Sequence, residues 1–419
     1  MLLALACLPF PLELTDYRLI GFSGEWHWTY RAKFPLALGL VFLLFVGLLF
    51  IREVMFNKRD LITLSSFGIF SLLLLYCLSG ISAHHLVQIF LPVIFFSAVY
   101  LFPQLRMVCF HLVAIVLTVF FLLHLSSIII NFEDAYLYKN HNFFHHEIYP
   151  YVSEVMIYSA LVVYAETLPL WTIFFIILLK NFDSRQSFGD LLIMIFWIGL
   201  ITSVVLGVLS GRKLFLLFCL MLLAYAWYER NLLLRLLRKK IIHVPLLVYL
   251  SLLTLNYQVF IPTLSRIKGQ FLSGNYTSGR ADKFGQLVEA FLEEEPVFSA
   301  AQNMVQTQSG LLTKLLFGLG TTGSFHNWWY SLLSGVGVIG LIIVMANLIN
   351  IFCRIRIKDP QLFDRKNRID LILLTSFLAL ESFVNVGFTQ AYFLTAVTLI
   401  ALLLKSLRVE PSGVSPSSS

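Results

Sequence analysis

Residues 316–342 read LFGLGTTGSFHNWWYSLLSGVGVIGLI, and here a polar, glycine-punctuated segment hands over to an apolar run. From Trp328 to residue 352 the chain carries no charged side chain. That run is long enough to cross the ~30 Å hydrocarbon layer of a bilayer as one helix, whose internal hydrogen bonds satisfy its backbone. The question is why His326, Asn327 and two glycine turns stand at the lip of such a helix.

The rest of the chain repeats the apolar theme. With 58% hydrophobic and 13% charged residues and a mean hydropathy of +0.83, it carries more apolar surface than a water-soluble globule can hide. The expected fold is all-α and polytopic. Spans are expected near 34–51, 61–79, 84–102, 107–130, 154–179, 189–209, 212–229, 241–261, 328–352, 369–387 and 390–407. That makes about eleven, and MLLALACLPFPLEL at the start is read as a short twelfth, since no basic segment precedes it and no A-x-A site follows. The short alternating segments of a β-barrel are not seen.

The chain divides into an N-terminal transmembrane bundle (1–261), a large helical loop (262–327), C-terminal transmembrane helices (328–407) and a polar tail (408–419) expected to be disordered. Orientation follows the positive-inside rule. RNLLLRLLRKK at 230–240 and RIRIKDPQLFDRKNR at 354–368 are the basic connections, so both belong on the cytoplasmic side. Alternation adds Arg52, Arg59, Arg106, Lys180 and Arg185 to that side and sends 131–153, Ser210–Gly211 and 262–327 outside. A net charge of +7 is then explained by inner-leaflet anchoring, with no nucleic acid needed. The five cysteines lie in or at the ends of apolar runs without C-x-x-C spacing, which points to neither a disulfide framework nor a thiol site.

The outer loop has room for chemistry. Its first part, KGQFLSGNYTSGR, is rich in turn residues. From Ala281, the residues Phe284, Leu287, Val288, Phe291 and Leu292 recur at helical spacing, and Pro296 ends the pattern. An amphipathic helix is expected there, resting its apolar stripe on the bundle or lying at the interface. A second helical piece is expected over 299–316.

SGR occurs twice, at Ser210–Gly211–Arg212 before a span and at Ser278–Gly279–Arg280 before the amphipathic helix. Guanidinium groups suit bidentate contact with phosphate oxygens, and helix N-termini add N–H groups and a positive dipole end. The competing readings are a snorkelling Arg212 and a solvated Arg280.

Taken in order, the two SGR motifs, FGLG at 317–320 and HNWWYSLLSGVGVIG at 326–340 resemble the family of bacterial O-antigen ligases and O-antigen or exopolysaccharide repeat-unit polymerases. The resemblance covers residues 190–350 in motif order and the whole chain in hydropathy; no single motif is specific. Residues matching the family pattern are Arg212, Arg280, Gly318 and Gly320, His326 and Asn327, and Gly335, Gly337 and Gly340. The chain departs from the pattern at Lys283 and Phe284, where an aromatic residue often follows sooner, and at Ser334, where a glutamate is often found.

The resemblance implies a GT-C-like glycosyltransferase of the bacterial inner membrane with its site facing the periplasm. It would take an undecaprenyl-diphosphate-linked glycan as donor, a glycan hydroxyl as acceptor, and a chain-length regulator as partner. It requires neither metal nor cofactor and inverts the anomeric centre. Arg212 and Arg280 would stabilise the diphosphate leaving group, and His326, with an imidazole pKa ordinarily about 6.5, would act as base. Asn327, Gly318, Gly320, Ser278, Lys213 and Glu166 would contact substrate. The polymerase reading is preferred to the ligase on subtype alone.

Other readings stay beside it. His326 next to Trp328, Trp329 and Tyr330 also fits an aromatic belt. His141, His145, His146 and Glu147 have spacing compatible with zinc but also with a wet loop. His84 and His85 sit at an outer helix end. Glu166 and Glu381, inside apolar runs, either hold an arginine, bind sugar or pair within the bundle. A lipid-linked oligosaccharide flippase or other transporter would show internal symmetry, and no repeat is found.

Overall fold

The computed structural model describes residues 107–130, 168–182, 189–210, 213–230, 240–261, 280–292, 311–319, 328–358, 360–364 and 367–384, with single positions between 66 and 74, 234 and 272, and 400 and 404. Regular structure among the described residues is entirely helical. The helices are α1 (Met107–Ile130), α2 (Leu168–Asn181), α3 (Gly189–Ser210), α4 (Lys213–Tyr228) and α5 (Lys240–Leu255) in the first part of the chain. They are followed by α6 (Arg280–Leu292), α7 (Leu311–Phe317), α8 (Trp328–Lys358) and α9 (Arg368–Val384). The spans expected before residue 107, the first part of the 154–179 span and the N-terminal piece lie outside the described residues.

Where both can be compared, helix bounds follow the apolar runs closely except at 241–261, where α5 ends at Leu255 and a 3-10 turn follows over Tyr257–Phe260. The reason is physical: a run without charge or proline has no internal stop, and its ends are set where turn residues or charge begin. The α8 helix passes beyond the expected end at 352 and continues through Arg354 and Arg356 to Lys358, with Pro360 just beyond as a stop. Cations at a helix C-terminus suit the macrodipole, so charge ends the apolar run without ending the helix.

Two helices, α3 over Gly189–Leu209 and α8 over Trp328–Ile357, are long and apolar enough to cross a membrane; Phe110–Leu123, Leu168–Asn181, Leu214–Tyr228 and Leu246–Leu255 are shorter apolar stretches. Exposed side chains tell the same story. Leu112, Val116, Val119 and Leu123 of α1 face outward at helical spacing, as do Leu220, Leu223 and Trp227 of α4. A helix apolar on its outer face as well as its inner one belongs in an apolar solvent.

The α3 helix is the hub, packing along α1 and α2 and meeting α4 and α5. Its small and hydroxylated residues make this possible. An ideal Cβ on Gly199 would fall on the Phe175 ring and the Thr118 hydroxyl, and one on Gly207 would fall on the Phe215 ring. Buried hydroxyls stitch the neighbours: Thr172 and Ser203 share a hydrogen bond of 3.0 Å, and the Tyr249 hydroxyl donates to Thr202 Oγ1 at 3.1 Å. Thr118 Oγ1 donates within α1 to the Ala114 carbonyl at 2.8 Å and across to the Ile195 carbonyl of α3 at 3.3 Å. The aromatic core around Phe121, Trp171, Phe174, Phe175 and Phe196 fills the space between.

Candidate functional site

The α4 and α9 helices run antiparallel, and two contacts set their register. Phe218 meets Phe377 edge to face at 5.4 Å between ring centroids, and the Tyr225 hydroxyl donates to Asp370 Oδ1 at 2.7 Å. The contacts are seven residues apart on both helices. Moving five residues beyond the first, back along α4 and forward along α9, reaches Lys213 and Ser382 at one level. Ser382 Oγ accepts from Trp329 Nε1 at 3.0 Å, so the first turn of α8 stands at that level too. Glu381, 6% exposed, precedes Ser382 there.

The α6 helix joins at the same place. The α6 helix begins at Arg280, one residue before the expected start, and ends at Leu292, ahead of the acidic run and Pro296. Leu287 and Phe291 are buried, and the Phe284 ring meets Tyr330 of α8 at 5.8 Å. Val288 and Leu292 face outward, so only part of the apolar stripe covers the bundle. Of the second expected piece, Leu311–Phe317 is helical as α7, and 299–310 lies outside the described residues.

Beyond α7 the two glycine motifs meet. Gly318 has φ +85°, Gly337 has φ +66° with ψ −171°, and the latter interrupts α8 with a backbone conformation open essentially to glycine alone. A Cβ on Gly318 would stand 2.6 Å from the Gly337 nitrogen, and one on Gly337 would strike Gly318 N and the Leu316 carbonyl. A break disturbs the i to i−4 bonding of the turn around it. The Ser334 carbonyl accepts instead from Leu319 N–H at 2.6 Å. The space at Gly318 is thus filled by α8 backbone, and packing alone is reason enough for glycine there.

Among the described residues, the first turn of α8 meets Ser382 and the Phe284 ring of α6, at the level of Lys213, while Gly318 meets α8 nine residues further along, at Gly337. Arg280 is described as the first residue of α6 and Lys213 as the first of α4. Arg212, Ser278, Glu166, Gly320, His326 and Asn327 lie outside the described residues, as do His84, His85 and the 141–147 cluster. Arg212 adjoins the first residue of α4, and Asn327 adjoins the first of α8. Among the described residues no group of three His, Cys, Asp or Glu side chains is placed to hold a metal.

At the opposite end of α4 the structure holds a cluster that motif reading missed. Lys180 Nζ, on the last turn of α2, donates to Glu229 Oε1 at 2.9 Å and to Asp370 Oδ2 at 3.0 Å. The Lys180 and Asp370 side chains are 10% and 1% exposed, and Tyr225 covers the other Asp370 oxygen. The signal was present in the topology: Lys180, the connection after Glu229 and the one before Asp370 all fall on the side assigned as inner.

No family model, curated protein or solved structure matches the chain. The described helices define no more than a class: a helical chain with two described helices long and apolar enough to cross a membrane.

Proposed function

We infer that the protein is a glycosyltransferase that polymerises undecaprenyl-diphosphate-linked oligosaccharide repeat units on the periplasmic face of the bacterial inner membrane, within a GT-C-like bundle of about 11–12 spans. One observation carries the reading: Lys213, beside Arg212, stands level with Ser382, to which Trp329, three residues after His326, is hydrogen-bonded. The contact of Phe284 with Tyr330 supports it by bringing the α6 helix that Arg280 starts to the same turn of α8.

The chemistry follows from the residue types. An acceptor hydroxyl oxygen attacks the anomeric carbon of the donor from the face opposite the diphosphate. The new C–O bond forms as the bond to the diphosphate oxygen breaks, and the configuration inverts. His326 takes the hydroxyl proton. The leaving diphosphate carries its charge on oxygen, and Arg212 and Arg280 stabilise that charge without proton transfer. Asn327 orients the imidazole or a sugar hydroxyl, Ser278 and Lys213 extend the contacts to the headgroup, and Glu166 holds an arginine or a sugar.

A deletion strain tests the reading and its subtype on one gel. Loss of the polymerase leaves a single repeat unit on the lipid A core. Bare core identifies the alternative, a ligase that moves lipid-linked glycan to that core. An unchanged glycan ladder rejects both.

A further inference from the structure

The α6 and α7 helices differ in how much apolar side chain they bury. In α6, Leu287 and Phe291 are 2% and 6% exposed while Glu289 faces solvent. In α7 no residue is buried: Leu311, Leu312 and Leu315 are 53%, 69% and 41% exposed, and Lys314 between them is half-buried. Leucines turned outward around a withdrawn lysine are the reverse of what water selects. The α7 helix is fixed in depth by its end, where Gly318 abuts Gly337 and Leu319 is bonded to Ser334.

That depth can be counted along α8. Gly337 precedes Arg354 by seventeen residues, roughly 25 Å at the helical rise. A hydrocarbon layer of ~30 Å beginning at the level of Arg354 therefore extends past Gly337. Irregular backbone at such depth is tolerated where protein covers it, and the half-buried Gly318 and Leu319 lie against α8. On α8 itself Ile342, five residues beyond Gly337, is 61% exposed.

We propose that α7 dips into the leaflet remote from Arg354 and that Leu311, Leu312 and Leu315 contact its acyl chains. The occupant is bilayer lipid. The inference rests on α8 crossing the membrane and is independent of glycosyl transfer.

The test uses the full chain in phosphatidylcholine vesicles. Leu312→Cys, Glu289→Cys and Ile342→Cys, each with the five native cysteines replaced by serine, carry a nitroxide whose relaxation by oxygen and by a water-soluble nickel chelate is compared. Oxygen dominates at Leu312 and Ile342, and nickel at Glu289. Nickel dominance at Leu312 with oxygen dominance at Ile342 overturns the dip, while nickel dominance at both overturns the crossing of α8 with it. The unsubstituted chain gives a second reading that needs no variant: phosphatidylcholine with an acyl-chain diazirine labels residues 311–317 on irradiation. Labelling of α8 without 311–317 overturns the proposal.

Discussion

Gly318 and Gly337 meet backbone to backbone, each at positive φ and each occupying the place where the other's neighbourhood leaves no room for a side chain. One glycine follows α7 and the other interrupts a helix long and apolar enough to cross a membrane, so the pair locks the two parts of the chain together.

Gly337→Ala destabilises the fold through both backbone strain and collision with Gly318 N and the Leu316 carbonyl. The conformational cost alone is ~1–3 kcal/mol. Gly285→Ala is the control, since a Cβ there meets nothing within 4 Å on helix α6, and it stabilises by ~0.4–1 kcal/mol. Thermal unfolding of the purified variants in detergent should move the two melting temperatures in opposite directions.

Lys180→Met leaves the Asp370 carboxylate, 1% exposed, and the Glu229 carboxylate without their shared cation. Removing one member of a buried ion cluster costs ~3–5 kcal/mol. Tyr225→Phe removes one neutral donor to Asp370 and costs ~1–3 kcal/mol. Denaturation of both variants should rank them in that order. Equal stability of Lys180→Met and wild type would show that the three helix ends are held by something else.

Gly207→Ala places a methyl group on the Phe215 ring, which is 1% exposed and cannot swing into open space. Overpacking of this kind costs ~1–3 kcal/mol. Phe215→Leu in the same chain makes room, so the double variant should be more stable than the sum of the singles by ~0.5–3 kcal/mol. Additive losses in a double-mutant cycle would mean that α3 and α4 do not touch there.

Arg212→Lys and Arg280→Lys test the proposed diphosphate contacts. A lysine keeps the charge and loses the planar fork. Transfer activity should fall in both with protein level unchanged, and full activity of Arg212→Lys would assign that side chain to snorkelling.

Much of the helical framework was legible because span length is a one-dimensional signal. The run 107–130 became α1 with the same bounds, and 189–209 became Gly189–Ser210. The interruption of α8 was not legible. Gly335, Gly337 and Gly340 are all ordinary in an apolar helix, and only contact with Gly318 distinguishes the middle one. The start of α6 at Arg280 was marked by Ser278 and Gly279, yet which part of its stripe is covered depends on Tyr330, far along the chain. Lys180 was read as an inner-side charge, and Glu229 and Asp370 were not singled out; their pairing requires knowing which helix ends are neighbours. For the proposed site the reach of sequence was greater than that of geometry, since Arg212 and His326 lie beside described helices and not within them.

We propose that the end of the bundle shared by Lys213, Ser382 and Trp329 transfers glycan from a prenyl diphosphate. The direct measurement is elongation of a synthetic undecaprenyl-diphosphate-linked repeat unit by the purified protein in proteoliposomes. Wild type should yield a ladder of longer lipid-linked glycans and release undecaprenyl diphosphate, while His326→Ala, monodisperse and equally abundant, should yield neither. A ladder of normal length from His326→Ala would contradict the account.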